Sequence, residues 1–310
     1  MSGPCAGGPF DATISMNDVN LPPAPSQLEP GSSPFVAILR ALGEHNPAWR
    51  ADIGPPQDPG WISGTSFRRA MEGSFHELLL RIGTRVGTSD RRTIAALFAL
   101  RYGWTSVLAV AASLRHDAVP DVSLENISLK FKENTFFERL ALHVPRGAMK
   151  ANDPMSQHPS VEALPSDSRS VLGCLRRRLV EQSQPVVEAL HDWSGFAPRG
   201  TWGMLTSSWA AHFTAHFGEA GEQSEALAIL SDFFAGDDLV AAMQPRFHLV
   251  TYGEVTQVYQ RRASCCRYYL VPRGDLCASC PLVSHEERVQ RNRAWMKSQM
   301  DATVGKGHHT

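Results

Sequence analysis

Any fold open to this chain must first place one segment, Thr93–Leu114, which reads TIAALFALRYGWTSVLAVAASL. It is apolar over a length that would cross a bilayer. Arg101 sits near its middle, however, and Gly103, Thr105, Ser106 and Ser113 are scattered along it. A charged guanidinium at bilayer depth is costly. The segment is therefore expected to be a buried or amphipathic core helix, capped at Ser89 or Asp90. Peripheral contact with the inner face of the cytoplasmic membrane is left open.

Around that helix the periodicities point to an α+β class, mostly helical with small antiparallel sheet segments. Residues 1–34 are rich in Gly, Pro and Ser and read as a flexible leader. They lack the basic and apolar regions of a signal peptide, so a cytoplasmic, reducing environment is expected. A helix-rich α+β body follows over 35–244. In it FVAILRALGEH, SFRRAMEGSFHELLLRIG, SVLGCLRRRLVEQSQPVVEALHDW, GMLTSSWAAHFTAHFGEA and SEALAILSDFFAG carry helical signals. Pro185 is expected to kink or divide the third of these. Alternation in NISLKF and RLALHVP predicts an antiparallel strand pair, and Lys150–Ser168 reads as loop. A C-terminal lobe at 245–282 opens with two β runs, RFHLVTYG and VTQVYQRR, and a basic helix with a tail occupies 283–310. The 310 residues carry a formal net charge of −1, which gives no whole-molecule field for binding nucleic acid.

Four of the six cysteines crowd into CCRYYLVPRGDLCASC, Cys265–Cys280. In a reducing compartment such clustering points to metal or redox chemistry rather than disulfides. Cys277 and Cys280 have the Cys-x-x-Cys spacing that lets one tight turn aim two thiolates at a metal. Their partners, Cys265 and Cys266, are adjacent, and neighbours in extended backbone point to opposite sides. One zinc ion would need a distorted backbone there, whereas a two-iron cluster asks less of it; both remain open on spacing alone. Arg261, Arg262, Arg267 and Arg273 flank the cysteines. They suit a negatively charged cluster and would attract an anionic or oxygen-rich ligand, so they are the candidate substrate contacts. Cys5 and Cys174 lie apart from this group.

The stretch RRASCCRYYLVPRGDLCASCPL resembles the C-terminal signature of the FhuF-type siderophore-iron reductases. That signature is a basic pair, adjacent cysteines, ten residues, then Cys-x-x-Cys and proline. Here these are Arg261, Arg262, Cys265, Cys266, Cys277, Cys280 and Pro281. Upstream, TWGMLTSSWAAHF resembles a tryptophan–glycine helix start of the same family. The resemblance implies a [2Fe–2S] cluster held by Cys265, Cys266, Cys277 and Cys280, with no catalytic residue beyond the cluster. It also implies a ferric siderophore as the substrate, since hard oxygen donors hold Fe(III) far better than Fe(II). No dinucleotide fingerprint follows a strand, so electrons are expected from a separate donor protein. The basic helix, through Arg288, Arg291, Arg293 and Lys297, is a candidate docking face for an acidic donor.

Among the histidines, His212 and His216 are spaced to share a metal on one helix face, but no H-E-x-x-H motif accompanies them. They read as core or surface residues, and Trp202, Trp209, Phe213 and Phe217 as a core face. His308 and His309 lie in the terminal tail. The alternative reading is a non-catalytic zinc- or cluster-bearing module that binds siderophores or handles iron.

Overall fold

The computed structural model describes residues 32–216 and 223–306. Cys5, Phe217, His308, His309 and all but the end of the expected leader lie outside the described residues. Helix α1, Pro34–His45, starts where a helix start is cheapest. Proline stands in the first turn, and the Ser33 hydroxyl accepts from the Phe35 N–H. It buries Phe35, Ile38, Leu39 and Leu42, each contributing about 1.5–3 kcal/mol by leaving water. Strands β1 (Ala51–Ile53) and β2 (Trp61–Ser63) precede helix α2 (Gly73–Val86).

The apolar segment forms helix α3 (Arg91–Tyr102), a 3-10 turn at Gly103–Ser106, and helix α4 (Val107–His116). Asp90, rather than Ser89, is the cap, its carboxylate accepting from the N–H groups of Arg92 and Thr93. Residues Arg91–His116 are long and apolar enough to cross a membrane, with mean hydropathy 1.5, yet 94% of that window is buried inside the protein. The expected core helix is therefore present, interrupted by one tighter turn.

Strand β3 (Ala118–Pro120) is followed by β4 (Ile127–Phe131) and β5 (Phe137–Leu142). The last two pair antiparallel, with Leu129 opposite Leu140, as their alternation predicts. They form a four-stranded sheet in the order β1-β5-β4-β2, in which β1 and β5 run parallel. Strand β6 (Gly147–Lys150) joins β3 to β7 (Val161–Leu164) in a second sheet, and β6 and β7 are parallel. The expected loop at Lys150–Ser168 thus contains a strand.

Helix α5 (Ser168–Ser194) contains Pro185 and is not divided there, which rules out division but not the alternative expectation of a kink. Helices α6 (Pro198–His216), α7 (Gln223–Phe234) and the short α8 (Leu239–Ala242) follow. Trp202, Trp209 and Phe213 of α6 are at most 2% exposed and belong to the core. Strands β8 (Arg246–Tyr252) and β9 (Val255–Arg261) make a separate antiparallel hairpin that delivers the chain to the cysteines, and α9 (His285–Lys306) closes it. The α+β class expected from the sequence is what the chain adopts.

Candidate metal centre

Two loops carry the four cysteines, and backbone geometry brings them together. Directly after β9, the Arg262 N–H donates to the Ser279 carbonyl at 2.9 Å, tying the first loop to the second. The Cys280 N–H donates to the Cys277 carbonyl at 2.9 Å, the tight turn expected of Cys-x-x-Cys. Between the pairs, Arg267 takes a left-handed conformation (φ 60°), a 3-10 turn runs over Tyr268–Leu270, and the chain doubles back at Gly274. A Cβ on Gly274 would lie 1.9 Å from the Tyr268 carbonyl oxygen, so only glycine lets the loop close.

The loop is seated on the helical body at several points. Gly203 of α6 admits Ser264, whose Cβ would meet an added Cβ at 2.6 Å. That approach gives the tryptophan–glycine pair at the start of α6 a packing role. The Gln260 side chain donates to the Ser207 carbonyl at 2.9 Å. Arg267 donates through Nε to Thr93 Oγ1 at 3.1 Å and pairs through Nη2 with Asp90 at 3.0 Å, locking onto the cap of α3. Burial opposes charge on Asp90, but hydrogen bonds from Thr93 and Arg267 hold its carboxyl below the usual range.

Cys266 and Cys280 are buried, while Cys265 and Cys277 are partly open. All four are free thiols. Arg262 Nη2 donates to Cys277 Sγ at 2.6 Å and to Cys266 Sγ at 3.5 Å, and the Arg267 N–H donates to Cys265 Sγ at 3.3 Å. One guanidinium therefore joins a sulfur of each loop. The Cys265 thiol is lowered to about 7 by the Cys280 thiol, with help from the Arg267 N–H, whereas Cys280 and burial push Cys277 up. Among the described residues no three metal-ligating side chains converge on one ion position. A two-iron cluster is held at two metal positions by two thiolates each, so it does not require such convergence.

Arg262 bears on whether that group fits. Its guanidinium is 3% exposed, and Nε and Nη1 are buried without a partner. Burial opposes its charge, but Cys266, Cys277 and Cys280 together hold its pKa above the ordinary value. Unmet donors beside four sulfurs suit a negative, acceptor-rich group, which is what thiolate-bound iron sulfide presents.

The charge pattern extends further. Among the described residues, the buried side chains that bear a formal charge are Arg101, Arg262 and Arg288, at 7%, 3% and 2% exposure. No buried carboxylate balances them. All three gather at the cysteines: Arg262 on the sulfurs, Arg288 donating to the Cys280 and Val283 carbonyls at 2.8 and 2.7 Å, and Arg101 within electrostatic reach of Cys266.

Of the four candidate substrate arginines, Arg262 thus faces inward, Arg267 is committed to Asp90, and Arg261 donates to the Pro281 carbonyl at 3.0 Å. Arg273 is exposed, in a left-handed turn (φ 65°). The docking face expected on the last helix needs correction as well. Arg288 is buried and Arg291 donates to the Leu276 carbonyl, so two of its four cations clasp the cysteine loop instead; Arg293 and Lys297 stay exposed. His212 is buried edge-on against Trp104 at 4.6 Å, and burial lowers its pKa to about 3, which makes it a neutral core residue.

No curated protein sequence matches the chain. A family described as "FhuF 2Fe-2S C-terminal domain" matches residues 262–282, the two cysteine loops themselves. A second, described as "Ferric iron reductase FhuF-like transporter", matches residues 96–254, from the middle of α3 to the β8–β9 turn. With just over half of its length matched by the second description and its cysteine lobe by the first, the chain belongs to the FhuF-like ferric iron reductase family.

Proposed function

We propose that the chain is a cytoplasmic ferric-siderophore reductase whose [2Fe–2S] cluster is held by Cys265, Cys266, Cys277 and Cys280. The observation that carries this reading is three buried guanidiniums around four cysteines that form no disulfide, with no buried carboxylate among the described residues to offset them. Such a site is electrostatically incomplete until an anionic group joins it. A [2Fe–2S] cluster held by these cysteines would supply one-electron chemistry, suited to converting tightly held Fe(III) to weakly held Fe(II) with an electron from a separate carrier protein.

The chain's own residues fix where this happens. Arg262 offsets negative charge from the buried side and favours uptake of an electron. Arg288 and Arg291 hold the loop carbonyls, so the sulfurs keep their spacing. Cys265 and Cys277 are partly open, so a cluster held here would lie close enough to solvent for an iron complex to come within electron-transfer range.

Anaerobic purification tests the reading. The protein should be red-brown, give an EPR signal on one-electron reduction, and be reoxidised by a ferric siderophore with Fe(II) captured by a chelating dye. A colourless protein holding one zinc ion would instead support a structural, non-catalytic lobe.

A further inference from the structure

Arg101 stands apart from the other buried arginines. Arg262 donates to sulfur and Arg288 to carbonyls, but Arg101 donates to nothing among the described residues. Its Nη1 is enclosed without a partner, although the side chain as a whole is 93% buried by its 7% exposure. Among the described residues the guanidinium lies against the Phe136 ring, 4.7 Å from its centre. Desolvating a cation without hydrogen bonds costs several kcal/mol, so such groups call for a partner the fold does not itself supply.

Its neighbours define what that partner would be. The Tyr268 phenol and the Cys266 thiol act on its charge from the cysteine loop, and Arg85 acts from the end of α2. Arg85 is exposed, and Tyr268, Tyr269 and Leu270 are 40%, 42% and 50% exposed. The loop also meets α2 where Pro272 lies against Gly87. A buried guanidinium thus feels both the cysteine loop with its exposed rings and a second, surface guanidinium, and among the described residues no carboxylate acts on Arg101. The Phe136 ring contributes a cation–π contact and leaves Nη1 without an acceptor.

We infer that Arg101, with Arg85 and the rings of Phe136 and Tyr268, is the contact for a net-negative, oxygen-rich ferric chelate beside Cys266. Anionic chelate oxygens accept from the guanidinium edge, and the second cation selects overall negative charge over neutral complexes. The inference rests on the reductase reading above and adds to it a place and a charge class for the substrate.

The test uses full-length, cluster-loaded protein and redox-inert gallium(III) complexes in place of iron, one a net-negative tris-catecholate and one a neutral tris-hydroxamate. Calorimetric titration should show the anionic complex binding more tightly to the wild type. Arg101→Gln should weaken that binding by about tenfold, the loss of one charge-assisted contact, and change the neutral complex by less than about twofold. Arg101→Lys should recover part of the loss, because it keeps the charge without the planar fork. Arg85→Gln, at an exposed position, should weaken the anionic complex alone and serves if Arg101→Gln fails to fold. Unchanged anionic affinity in the Arg101 variants, equal weakening of both complexes, or a shifted cluster potential with unchanged affinity would each overturn the inference. The last result would make Arg101 a counter-charge to the cluster. A wild-type protein that reduces ferric chelates while its Arg101 variants behave identically sinks the inference and leaves the reductase reading intact. A wild type that holds its cluster but neither binds nor reduces any chelate sinks both.

Discussion

Replacing Arg262 with methionine removes one buried charge and its donors while keeping an unbranched stem to fill the space. The guanidinium Nη2 lies 2.6 Å from Cys277 Sγ and 3.5 Å from Cys266 Sγ. Taking about 4 Å between charge centres and an effective dielectric of about 20, each unit of cluster charge interacts with the guanidinium by about 4 kcal/mol. Reduction adds one negative unit, so the cation favours the reduced state by that amount. With about 1.4 kcal/mol corresponding to 59 mV for one electron, the full effect is about 170 mV. Water drawn into the vacated space would screen part of it, so Arg262→Met should lower the midpoint potential by about 80–170 mV. Arg262→Lys should recover more than half of the shift. Spectroelectrochemical titration of the anaerobic variants, with iron and sulfide content checked first, gives the values. A shift below about 30 mV in a fully loaded Arg262→Met protein, roughly a threefold change in the one-electron equilibrium, would refute the counter-charge role.

Serine at Cys265, Cys266, Cys277 or Cys280 should abolish or damage the cluster's visible absorption, while Cys174→Ser, buried in α5 away from the lobe, should leave it intact. Gly274→Ala should lower iron content at unchanged far-UV circular dichroism, because the new methyl group meets the Tyr268 carbonyl and the loop must move. Normal loading of Gly274→Ala would show that the loop tolerates the displacement. Burial opposes charge on Asp121, yet bonds from Arg146 and Ser123 hold its carboxyl below the usual range. A depressed carboxyl stabilises the fold above its unfolded pKa of about 3.9, and that stability is lost as pH falls through the folded value. Denaturant midpoints should therefore fall more steeply below pH 4 for wild type than for Asp121→Asn, and parallel curves would exclude the linkage.

What could be read from the residues divides along one physical line. Local periodicity exposed β4 and β5, because Leu129 and Leu140 alternate with polar neighbours and face each other in register. It missed β7, whose four residues lie in a stretch of proline and serine and show only one buried side chain. Pro185 looked like a break, yet helix α5 runs through it, packed along the core by Val186, Val187 and Leu190. The four cysteines were legible as a metal group because their spacing is itself the signal. The arginines beside them were not: Arg261, Arg262, Arg267 and Arg273 look alike in sequence, and only tertiary placement turns one toward sulfur and another toward Asp90. Arg101 was conspicuous as a charge in an apolar helix, but its nearness to Cys266, far along the chain, arises from the docking of the lobe on α3.

The three buried arginines tie separate stretches of the chain to the cysteine loops. Arg262 leaves the end of β9 and reaches Cys277, Arg288 leaves α9 and reaches the Cys280 carbonyl, and Arg101, on α3, lies within electrostatic reach of Tyr268 and Cys266. Taken singly, each would be an expensive desolvated cation. Around one anionic cluster, two of them become favourable partners of the same group, and the third is left with an unfilled bond. Ligation of iron would therefore stabilise the native packing well beyond the four metal–sulfur positions, since binding free energy at a site absent from the unfolded chain is folding free energy. The same arrangement divides the tasks: Arg262 sets the charge balance at the sulfurs, the helix clasp sets their spacing, and Arg101, within reach of the exposed Tyr268, keeps a donor for what arrives from solvent.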